Sequence, residues 1–562
     1  MLLPSEVLLN QTDIFQKEWF KRNSVDKIIH LADYRRLLFE HAIRPCFIAS
    51  FNSEKPDIDS HEIEYIVPKY LGQDPVAGKI PVSPDDCVPI RLKDVIRAAE
   101  AGSASVLWKS RYSGSPRDWK LIHYLQSLPA LKSQLAGPSE SNKLWKAGKG
   151  FKPWYQAGYD LAPDTYGDPK PIPGNLGDPF IEAKNQKAKF VALSTDCITL
   201  KKKLETTRYK DRNLPDSERH GSLKGFCRSP EQCIFTPPLV LINKGFNRVL
   251  FSDFFVFYQD SVTGISGPEK DKDLLLFLAV YAQSRLAEYF QYHTSGSWGI
   301  ERTEVRLHEL LTLPFPRPED MGINKEKAQA VIKEIASKVR AFKDELEKLY
   351  REYENHEQGF KLHGYSFDEV RQIKSDELSK KLEPYVYEYF GLTKEEIALI
   401  KDTCEIYEKS ATPESYNKTI KTLEKTTENN RFIYSDWLCN TLNTWILEAW
   451  RPDPAPFFFC AESTRFKTLG QVLITLYKTK SKKTGVEINP QNQEMIKALK
   501  RISGASVREK GSLTYLRGIV FADNDKLYLL KPDMLGKWTR TAALNDAQEL
   551  FDLIITSLKR NA

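Results

Sequence analysis

Residues 2–51 read LLPSEVLLNQTDIFQKEWFKRNSVDKIIHLADYRRLLFEHAIRPCFIASF, and this stretch decides the first part of the fold. It opens on a short apolar strand and continues into an amphipathic helix that Thr12 or Asp13 can cap. Two strand-like runs follow, VDKIIHL at 25–31 and RPCFIASF at 44–51, joined by a polar link. Strands that alternate with helices predict the end of an α/β sheet.

The composition excludes several protein classes. The 562 residues include 82 Lys and Arg against 75 Asp and Glu, for a net charge of +7, and 41% are hydrophobic. This length predicts about three to four domains, and the apolar content excludes wholesale disorder and fibrous classes. No apolar run approaches about 18 residues and no signal peptide is recognisable, so we expect a soluble intracellular protein without membrane partners. The 8 scattered cysteines favour reduced thiols.

The middle of the chain has a β-rich pattern followed by two helical patterns. Short β-branched and aromatic runs within 189–267 predict a β-rich block, and 273–293 has the apolar spacing of one core-facing helix. From Val331 to Tyr353, apolar residues recur at spacings of 4, 4, 3, 4, 3 and 4, which is typical of a coiled-coil-like seam. This helix is either a spacer that pairs with another helix or a surface helix of its own domain.

The C-terminal region predicts a small α+β domain. Residues 512–532 have the pattern of a β-hairpin, and 541–560 that of a terminal amphipathic helix. Trp437, Trp445 and Trp450 are most simply core residues, but an apolar helix rich in Trp can also dock a partner subunit, which we favour slightly.

Motifs with established catalytic spacing are absent from the sequence. There is no P-loop, no H-E-x-x-H, no G-x-S-x-G and no G-x-G-x-x-G after a strand. His220, Cys227 and Cys233 are the nearest metal candidates, but their spacing and the lack of a fourth ligand do not suit structural zinc. The sequence therefore predicts no catalytic, cofactor-binding or metal-binding residue in this chain.

Basic residues concentrate in three runs, at 143–152, 201–212 and 478–483. In the first run, lysines recur every third residue between aromatic side chains, which suits a nucleic-acid backbone and its bases. The candidate DNA-binding residues are Lys143, Lys146, Lys149, Lys152, Trp145 and Phe151 in the first run and Lys201, Lys202 and Lys203 in the second. Gly148 and Gly150 either allow close approach to DNA or form a turn. Each run taken alone is more often a solvated loop.

The opening stretch resembles the region just beyond the catalytic loop of bacterial DNA adenine-N6 methyltransferases of restriction-modification and antiphage systems. In that family a strand ending in L-P-S is followed by a helix, a strand into an L-x-D turn, an L-F-E helix and a final strand. The matching residues are Leu3-Pro4-Ser5, Leu31 to Asp33, Leu38-Phe39-Glu40 and Pro45 to Phe51. The resemblance implies a remnant of a Rossmann-like methyltransferase sheet.

Later segments resemble the target-recognition domain of such enzymes and of type I specificity subunits. They are, in order, LWKSRYSGSPRDWKLIHYL, GKGFKP, FSDFFVFY and SGSWGIERTEVRLHELLTLPFP, so that the resemblance spans roughly residues 2–405. It implies that Ser297, Trp298 and Arg302 in a closing loop contact DNA. Packing on the helix at 272–291 is an equal alternative for Trp298.

The expected fold class is α/β plus α+β in several domains. The predicted segments are a partial methyltransferase sheet at 1–56, a β-rich target-recognition domain at 57–316, a coiled-coil-like helical spacer at 319–356, a helical segment at 357–410, a linker at 411–430 and a small α+β domain at 431–562.

The departure from the family decides the expected function. A complete enzyme carries an S-adenosylmethionine loop of the F-x-G-x-G kind and an N/D-P-P-Y/F tetrapeptide, and neither occurs here. The tetrapeptide accepts hydrogen bonds from the adenine amino group and stacks on the flipped base. We therefore expect no methylation by this chain alone, and S-adenosylmethionine on a partner subunit.

Several functions remain open at this point. The chain is the DNA-recognition subunit of a split adenine-N6 methyltransferase, whose partner carries the missing motifs, or it is a non-catalytic sequence-specific DNA-binding or assembly protein. A subunit of an RNA-directed methyltransferase and a truncated gene product are further alternatives. The expected partners are double-stranded DNA, a methyltransferase subunit and further defence-complex subunits, in the cytoplasm at the nucleoid.

Overall fold

The structure is a computed structural model divided into two compact units. Unit 1 comprises Met1–Tyr112, Gly299–Glu301 and Thr393–Ala562, and unit 2 comprises Ser113–Trp298 and Arg302–Leu392. The described residues are 1–10, 12–38, 44–70, 80, 82, 86–135, 145–153, 174–182, 189–206, 209–210, 220–221, 226–228, 232–301, 303–321, 325–355, 365–411, 420–451, 457–466, 471–479, 486–488, 519–523 and 526–561. Helices and sheets occur in both units, so the chain is a multidomain protein of mixed α and β structure.

The N-terminal part of unit 1 is a five-stranded sheet with helices. Its strands are β1 (Leu2–Pro4), β2 (Ser24–His30), β3 (Cys46–Asn52), β4 (Glu62–Ile66) and β5 (Cys87–Arg91). Its helices are α1 (Glu6–Leu9), α2 (Asp13–Arg22), α3 (Arg35–Leu38), α4 (Leu92–Glu100) and α5 (Ala104–Ser113). The strand order is β1-β3-β2-β4-β5, with β2 and β4 parallel and all other pairs antiparallel.

The predicted strand and helix order of the opening stretch is present. β1, β3 and β2 lie side by side, and Phe20, Ile28 and Phe47 are fully buried in one core with side chains of α4 and α5. Strands β4 and β5 extend the same sheet beyond the boundary predicted at residue 56. Phe39 and Glu40 of the L-F-E motif lie outside the described residues.

Unit 2 contains the β-rich block. Its strands are β6 (Lys146–Lys149), β7 (Lys152–Pro153), β8 (Pro179–Ile181), β9 (Phe190–Val191), β10 (Cys197–Thr199), β11 (Tyr209–Lys210), β12 (His220–Gly221), β13 (Phe226–Arg228), β14 (Leu239–Asn243), β15 (Val249–Ser252), β16 (Phe257–Tyr258) and β17 (Val262–Ser266). The main sheet has the order β6-β17-β14-β15-β9, and a smaller one has the order β10-β8-β16. Two strand pairs, β11-β12 and β13-β7, complete the block among the described residues.

The helices of unit 2 correct one prediction. They are α6 (Pro116–Ser127), α7 (Leu200–Thr206), α8 (Lys272–Tyr281), α9 (Arg285–Thr294), α10 (Leu307–Leu310), α11 (Lys325–Asn355) and α12 (Phe367–Tyr389). The single helix predicted over 273–293 was wrong, because the chain divides there into α8 and α9. Ser284 caps α9 by accepting a hydrogen bond from the Ala287 backbone N–H, and such a cap starts a new helix.

The helix predicted for the spacer is α11, which is 31 residues long. Its seam residues Ile335, Val339 and Leu346 are fully buried, and α11 packs on α8 and α12 of its own unit. The described seam is thus covered within unit 2, which favours the alternative of a helix belonging to its own domain.

The C-terminal part of unit 1 is a second α+β arrangement. It contains α13 (Lys394–Asp402), α14 (Glu408–Ser410), α15 (Glu428–Ala449), β18 (Phe458–Phe466), β19 (Gln471–Thr479), β20 (Val486–Ile488), β21 (Ile519–Asp523), β22 (Lys526–Pro532) and α16 (Arg540–Asn561). The sheet has the order β20-β18-β19-β22-β21, and it includes the predicted hairpin β21-β22. Trp437, Trp445 and Trp450 are partly buried against its core. Within the described residues, no helix is long and apolar enough to cross a membrane.

Candidate nucleic-acid interface

The lysine series of the first basic run does not form a single stripe. Lys146 and Lys149 lie on β6, an edge strand opposite Ser266 and Thr263 of β17. Side chains alternate between the two faces of a strand, so residues three positions apart point in opposite directions. Lys152 continues into β7, and Lys143 lies outside the described residues.

The aromatic residues between these lysines are buried. Trp145 has no exposed surface, and its indole N–H donates to Asp271 Oδ2 at 2.9 Å. Phe151 is 1% exposed and stacks on Phe235 with ring centroids 4.9 Å apart. In this structure neither ring is accessible for stacking on a base. The role expected for Trp145 and Phe151 is therefore corrected from base stacking to core packing.

The glycines of this run serve the protein's own packing. A Cβ atom built on Gly150 would lie 2.0 Å from the Tyr258 carbonyl oxygen, and one on Gly148 would lie 2.9 Å from Ile234. The first distance leaves no room for a side chain, whereas the second would require only the end of the Ile234 side chain to shift. The close approach that these glycines allow is therefore between two segments of the protein, and not between the protein and DNA.

The second run begins on α7. Lys201 and Lys202 are exposed there. Lys203 forms an ion pair with Glu182, at 2.7 Å between Nζ and Oε1, and its ammonium lies 5.4 Å from the Phe180 ring centroid. Lys203 thus carries a partly compensated charge. In the third run, Lys478 belongs to β19, and 480–483 lies outside the described residues.

The closing loop is anchored by one carboxylate. The backbone N–H of Gly296 donates to Glu309 Oε1 at 2.9 Å, and that of Arg306 donates to Oε2 at 2.7 Å. Ser297 and Trp298 are 8% and 3% exposed, and Trp298 packs against Phe246. Trp298 is thus a packing residue in this structure.

Three basic residues, Lys149, Lys244 and Arg306, come together at one end of the main sheet of unit 2, and we name them the basic end. Lys149 is opposite Thr263, which is opposite Ile242 of β14. Neighbouring strands are about 4.8 Å apart, so Lys149 lies about 10 Å from the strand that leads into Lys244. The backbone N–H of Val305 donates to the Lys244 carbonyl at 2.9 Å, which brings the segment carrying Arg306 to the same end.

The electrostatics of His308 support this arrangement. Partial burial lowers the pKa of the His308 imidazole; Glu309 opposes the shift, and the charges of Arg306 and Lys149 lower the pKa further. Both cations are therefore within electrostatic reach of one ring. Lys244 is paired with Glu304 at 3.5 Å between Nζ and Oε1. Like charges gathered on one surface are typical of a site for a polyanion.

Sequence reasoning found Lys149 and missed Lys244, Arg306 and His308. Lys244 is an isolated charge in a hairpin turn, and Arg306 follows Arg302 of the closing loop by four positions. The pairing of β6, β17 and β14 brings Lys149 near Lys244, and the hydrogen bond from Val305 to Lys244 brings Arg306 to the same end. Arg302, which was expected to contact DNA, lies outside the described residues. Those residues contain no cluster of three His, Cys, Asp or Glu side chains that could hold a metal ion.

A second exposed surface lies on the N-terminal sheet of unit 1. β1 forms one edge of this sheet, and Leu2 is directly opposite Ile48 of β3. Directly opposite residues share one face of a sheet. Their side chains are 52% and 39% exposed, so an apolar pair meets solvent beside an edge strand.

Comparison with known proteins gives no family. No protein-family model and no curated protein matches the chain. The type IIG restriction endonuclease BpuSI is similar at 13% identity over 69% of this chain and 47% of that chain, with a TM-score of 0.19. The HsdS subunit from Thermoanaerobacter tengcongensis is similar at 12% identity over 56% of this chain and 63% of that chain, with a TM-score of 0.16.

A structure of the type I R-M system, described for its complex assembly and conformational transition, is similar at 13% identity over 56% of this chain and 66% of that chain, with a TM-score of 0.16. The chain spans less than two thirds of the length of each of these three proteins. All three are restriction-modification proteins, and TM-scores this low do not establish a shared fold.

Proposed function

We propose that this chain is the DNA-recognition subunit of a split adenine-N6 DNA methyltransferase in a restriction-modification or antiphage defence system. The observation that carries the DNA-binding part is the basic end of unit 2. Lys149, Lys244 and Arg306 come from three separate segments that the fold brings to one end of the main sheet, where Glu304 pairs with Lys244. Phosphates of a duplex would interact with these cations and release counterions.

The base-reading side chains would come from the loops around this surface. Cations on phosphates fix the position of a protein on DNA, whereas polar side chains at base edges select the sequence. Lys152, Lys201 and Lys202 are further candidates for phosphate contacts. Arg302 lies outside the described residues, and the family resemblance alone makes it a candidate for DNA contact.

The methyltransferase part of the proposal is supported by the N-terminal sheet. The strand and helix order that the family resemblance implies is present in unit 1, and β1 is an edge strand with an exposed apolar pair at Leu2 and Ile48. Exposed sheet edges favour pairing with another chain. We propose that a partner subunit docks there and supplies the S-adenosylmethionine site and the tetrapeptide that holds the target adenine.

In this proposal residues 1–56 remain the remnant of a methyltransferase sheet, and 431–562 a further site of partner docking. The complex would act at the nucleoid in the cytoplasm. The alternative is a non-catalytic DNA-binding or assembly protein of such a complex, which would bind duplex DNA without contributing to methyl transfer.

Binding and co-purification test the proposal. A fluorescent duplex and single-stranded RNA of the same sequence are titrated with the full chain at matched salt, and we expect tighter binding of the duplex. Preference for the RNA would favour an RNA-directed enzyme instead. Co-expression with the product of the gene immediately upstream should give a stable complex, and failure to co-purify would contradict the split enzyme.

A further inference from the structure

Two buried arginines lie in the electrostatic neighbourhood of one carboxylate inside unit 2. Arg371 is 1% exposed and binds Asp196 in a bidentate manner, at 2.6 Å from Nη1 to Oδ1 and 3.0 Å from Nη2 to Oδ2. Arg248 is 4% exposed, and both Asp196 and Arg371 act on its charge. Two buried guanidinium groups and one carboxylate thus lie within electrostatic range of one another, and only Arg371 is paired with the carboxylate.

Arg248 is only partly satisfied by the described residues. Its Nη1 donates to the Glu182 backbone carbonyl at 2.6 Å, whereas Nε and Nη2 are buried and make no hydrogen bond to any described residue. Burial lowers the pKa of Arg248 to about 10, so its side chain stays charged at neutral pH. Charged donors buried without an acceptor are costly, which favours binding of a negatively charged group.

Arg248 also lines a small cleft in the described part of unit 2. Four aliphatic side chains form most of its wall together with Glu182 and Asn243, and the cavity volume is about 10 Å³. That volume holds about one oxygen-sized atom. The other polar groups of the wall are engaged, because Asn243 bonds to Asn247 and to the Arg248 backbone, and the Glu182 carboxylate pairs with Lys203.

We propose that this cleft binds one oxygen of a phosphate group, supplied by the backbone of the bound DNA. The inference rests on the proposed function, because it places the cleft within the same DNA-binding surface. Val262 of its wall directly precedes Thr263, which is opposite Lys149. Asn243 of its wall directly precedes Lys244. A guanidinium is well suited to phosphate because its planar set of donors matches the oxyanion geometry.

The first arm of the test measures the anion alone. The thermal midpoint of the full chain is followed against inorganic phosphate at constant ionic strength, since a ligand that binds the folded state raises the midpoint. We expect phosphate to stabilise the wild type and Glu182→Gln, the latter at lower concentrations because a nearby negative charge is removed. Arg248→Gln should lose the response, and the exposed Lys132→Gln control should keep it. An equal response of wild type and Arg248→Gln would overturn the anion site.

The second arm distinguishes DNA from free phosphate. The salt dependence of duplex binding is measured by fluorescence anisotropy, and loss of one phosphate contact reduces the log–log slope by about 0.9. We expect this reduction for Arg248→Gln and none for Lys132→Gln. A lost phosphate response with an unchanged slope would overturn the assignment to DNA.

If Arg248→Gln fails to fold, the test relies on Glu182→Gln. We expect this variant to bind both phosphate and the duplex more tightly than the wild type, and unchanged binding would contradict the inference. If the wild type binds no duplex, the proposed function fails and the assignment to DNA is overturned with it. The phosphate response of the wild type then shows separately whether the cleft binds an anion.

Discussion

The edge of the N-terminal sheet and the basic end of unit 2 present opposite kinds of surface. Leu2 and Ile48 expose an apolar pair beside an edge strand, whereas Lys149, Lys244 and Arg306 gather positive charge at one end of a sheet. An apolar pair beside an edge strand suits another protein, and clustered cations suit a polyanion. The two candidate roles, partner docking and DNA binding, therefore depend on different residues and are separable by mutation.

The largest expected effect concerns the basic end. The triple variant Lys149→Gln, Lys244→Gln, Arg306→Gln should weaken duplex binding on the order of 100-fold near physiological salt and reduce the log–log salt slope by about 2.7, because three phosphate contacts are lost. Fluorescence anisotropy measures both quantities. Lys146→Gln is the matched control, since Lys146 lies on the opposite face of β6 from Lys149. A triple variant that binds like the wild type would remove the basic end from the interface.

The next effect tests whether the glycines beside Lys149 serve packing. Gly150→Ala should lower the free energy of unfolding by about 1–3 kcal/mol, because its Cβ would meet the Tyr258 backbone. Gly177→Ala is the control, since nothing lies within 4 Å of a Cβ at that position. Urea unfolding followed by fluorescence measures both variants. An unchanged free energy of unfolding for Gly150→Ala would show that close packing of Gly150 on the Tyr258 backbone does not hold the segment that carries Lys149.

The third prediction concerns the pH dependence of stability, to which His30 in the N-terminal sheet contributes. His30 is fully buried, and desolvation, aided by Lys69 and Lys109, lowers its pKa from the ordinary 6.5 to about 3. Between these values the unfolded chain binds one more proton than the folded chain, so stability rises with pH in that window. The contribution is up to about 1.4 kcal/mol per pH unit.

His30→Phe should therefore flatten the pH dependence of stability between about pH 3 and 6.5 while preserving contact with the aromatic rings around it. The ring centroids of Phe47, Tyr65 and Tyr112 lie 6.5, 6.2 and 4.9 Å from that of His30. Urea midpoints over this range measure the effect, and the exposed His123→Phe is the control. The same slope in both variants would contradict the neutral state of His30 in the fold.

The smallest expected effect tests partner docking. Leu2→Asp with Ile48→Asp should weaken the complex with the upstream gene product about 10-fold, because both side chains lose apolar burial. Duplex binding by the chain alone should be unchanged. Ile14→Asp is the control, because Ile14 is 85% exposed away from β1. Equal weakening by the control would argue against a specific role of the sheet edge.

Local patterns predicted much of the secondary structure. The opening strands and helices and the hairpin at Asp523 and Lys526 follow from alternating apolar residues and turn residues that act over a few positions. The break at Ser284 was missed because apolar residues continue on both sides, so the capping side chain was the only local signal.

The site was harder to predict because it depends on pairing between distant segments. Lysines recur every third residue in the first basic run, but side chains on β6 alternate with a period of two, so Lys146 and Lys149 lie on opposite faces of the strand. Trp145 and Phe151 are equally compatible with base stacking and with a core, and only the tertiary structure shows them buried. Lys244 and Arg306 lie far apart in sequence, and no local pattern connects them.

Methyl transfer distinguishes a split methyltransferase from a DNA-binding protein without a part in catalysis. Tritiated methyl groups from S-adenosylmethionine are followed into duplex DNA, with the chain alone and with the complex formed with its upstream neighbour. We expect incorporation by the complex only, and loss of incorporation in the complex that carries the triple variant of the basic end. Incorporation by the chain alone, or none by a complex that still binds duplex DNA, would contradict the split enzyme.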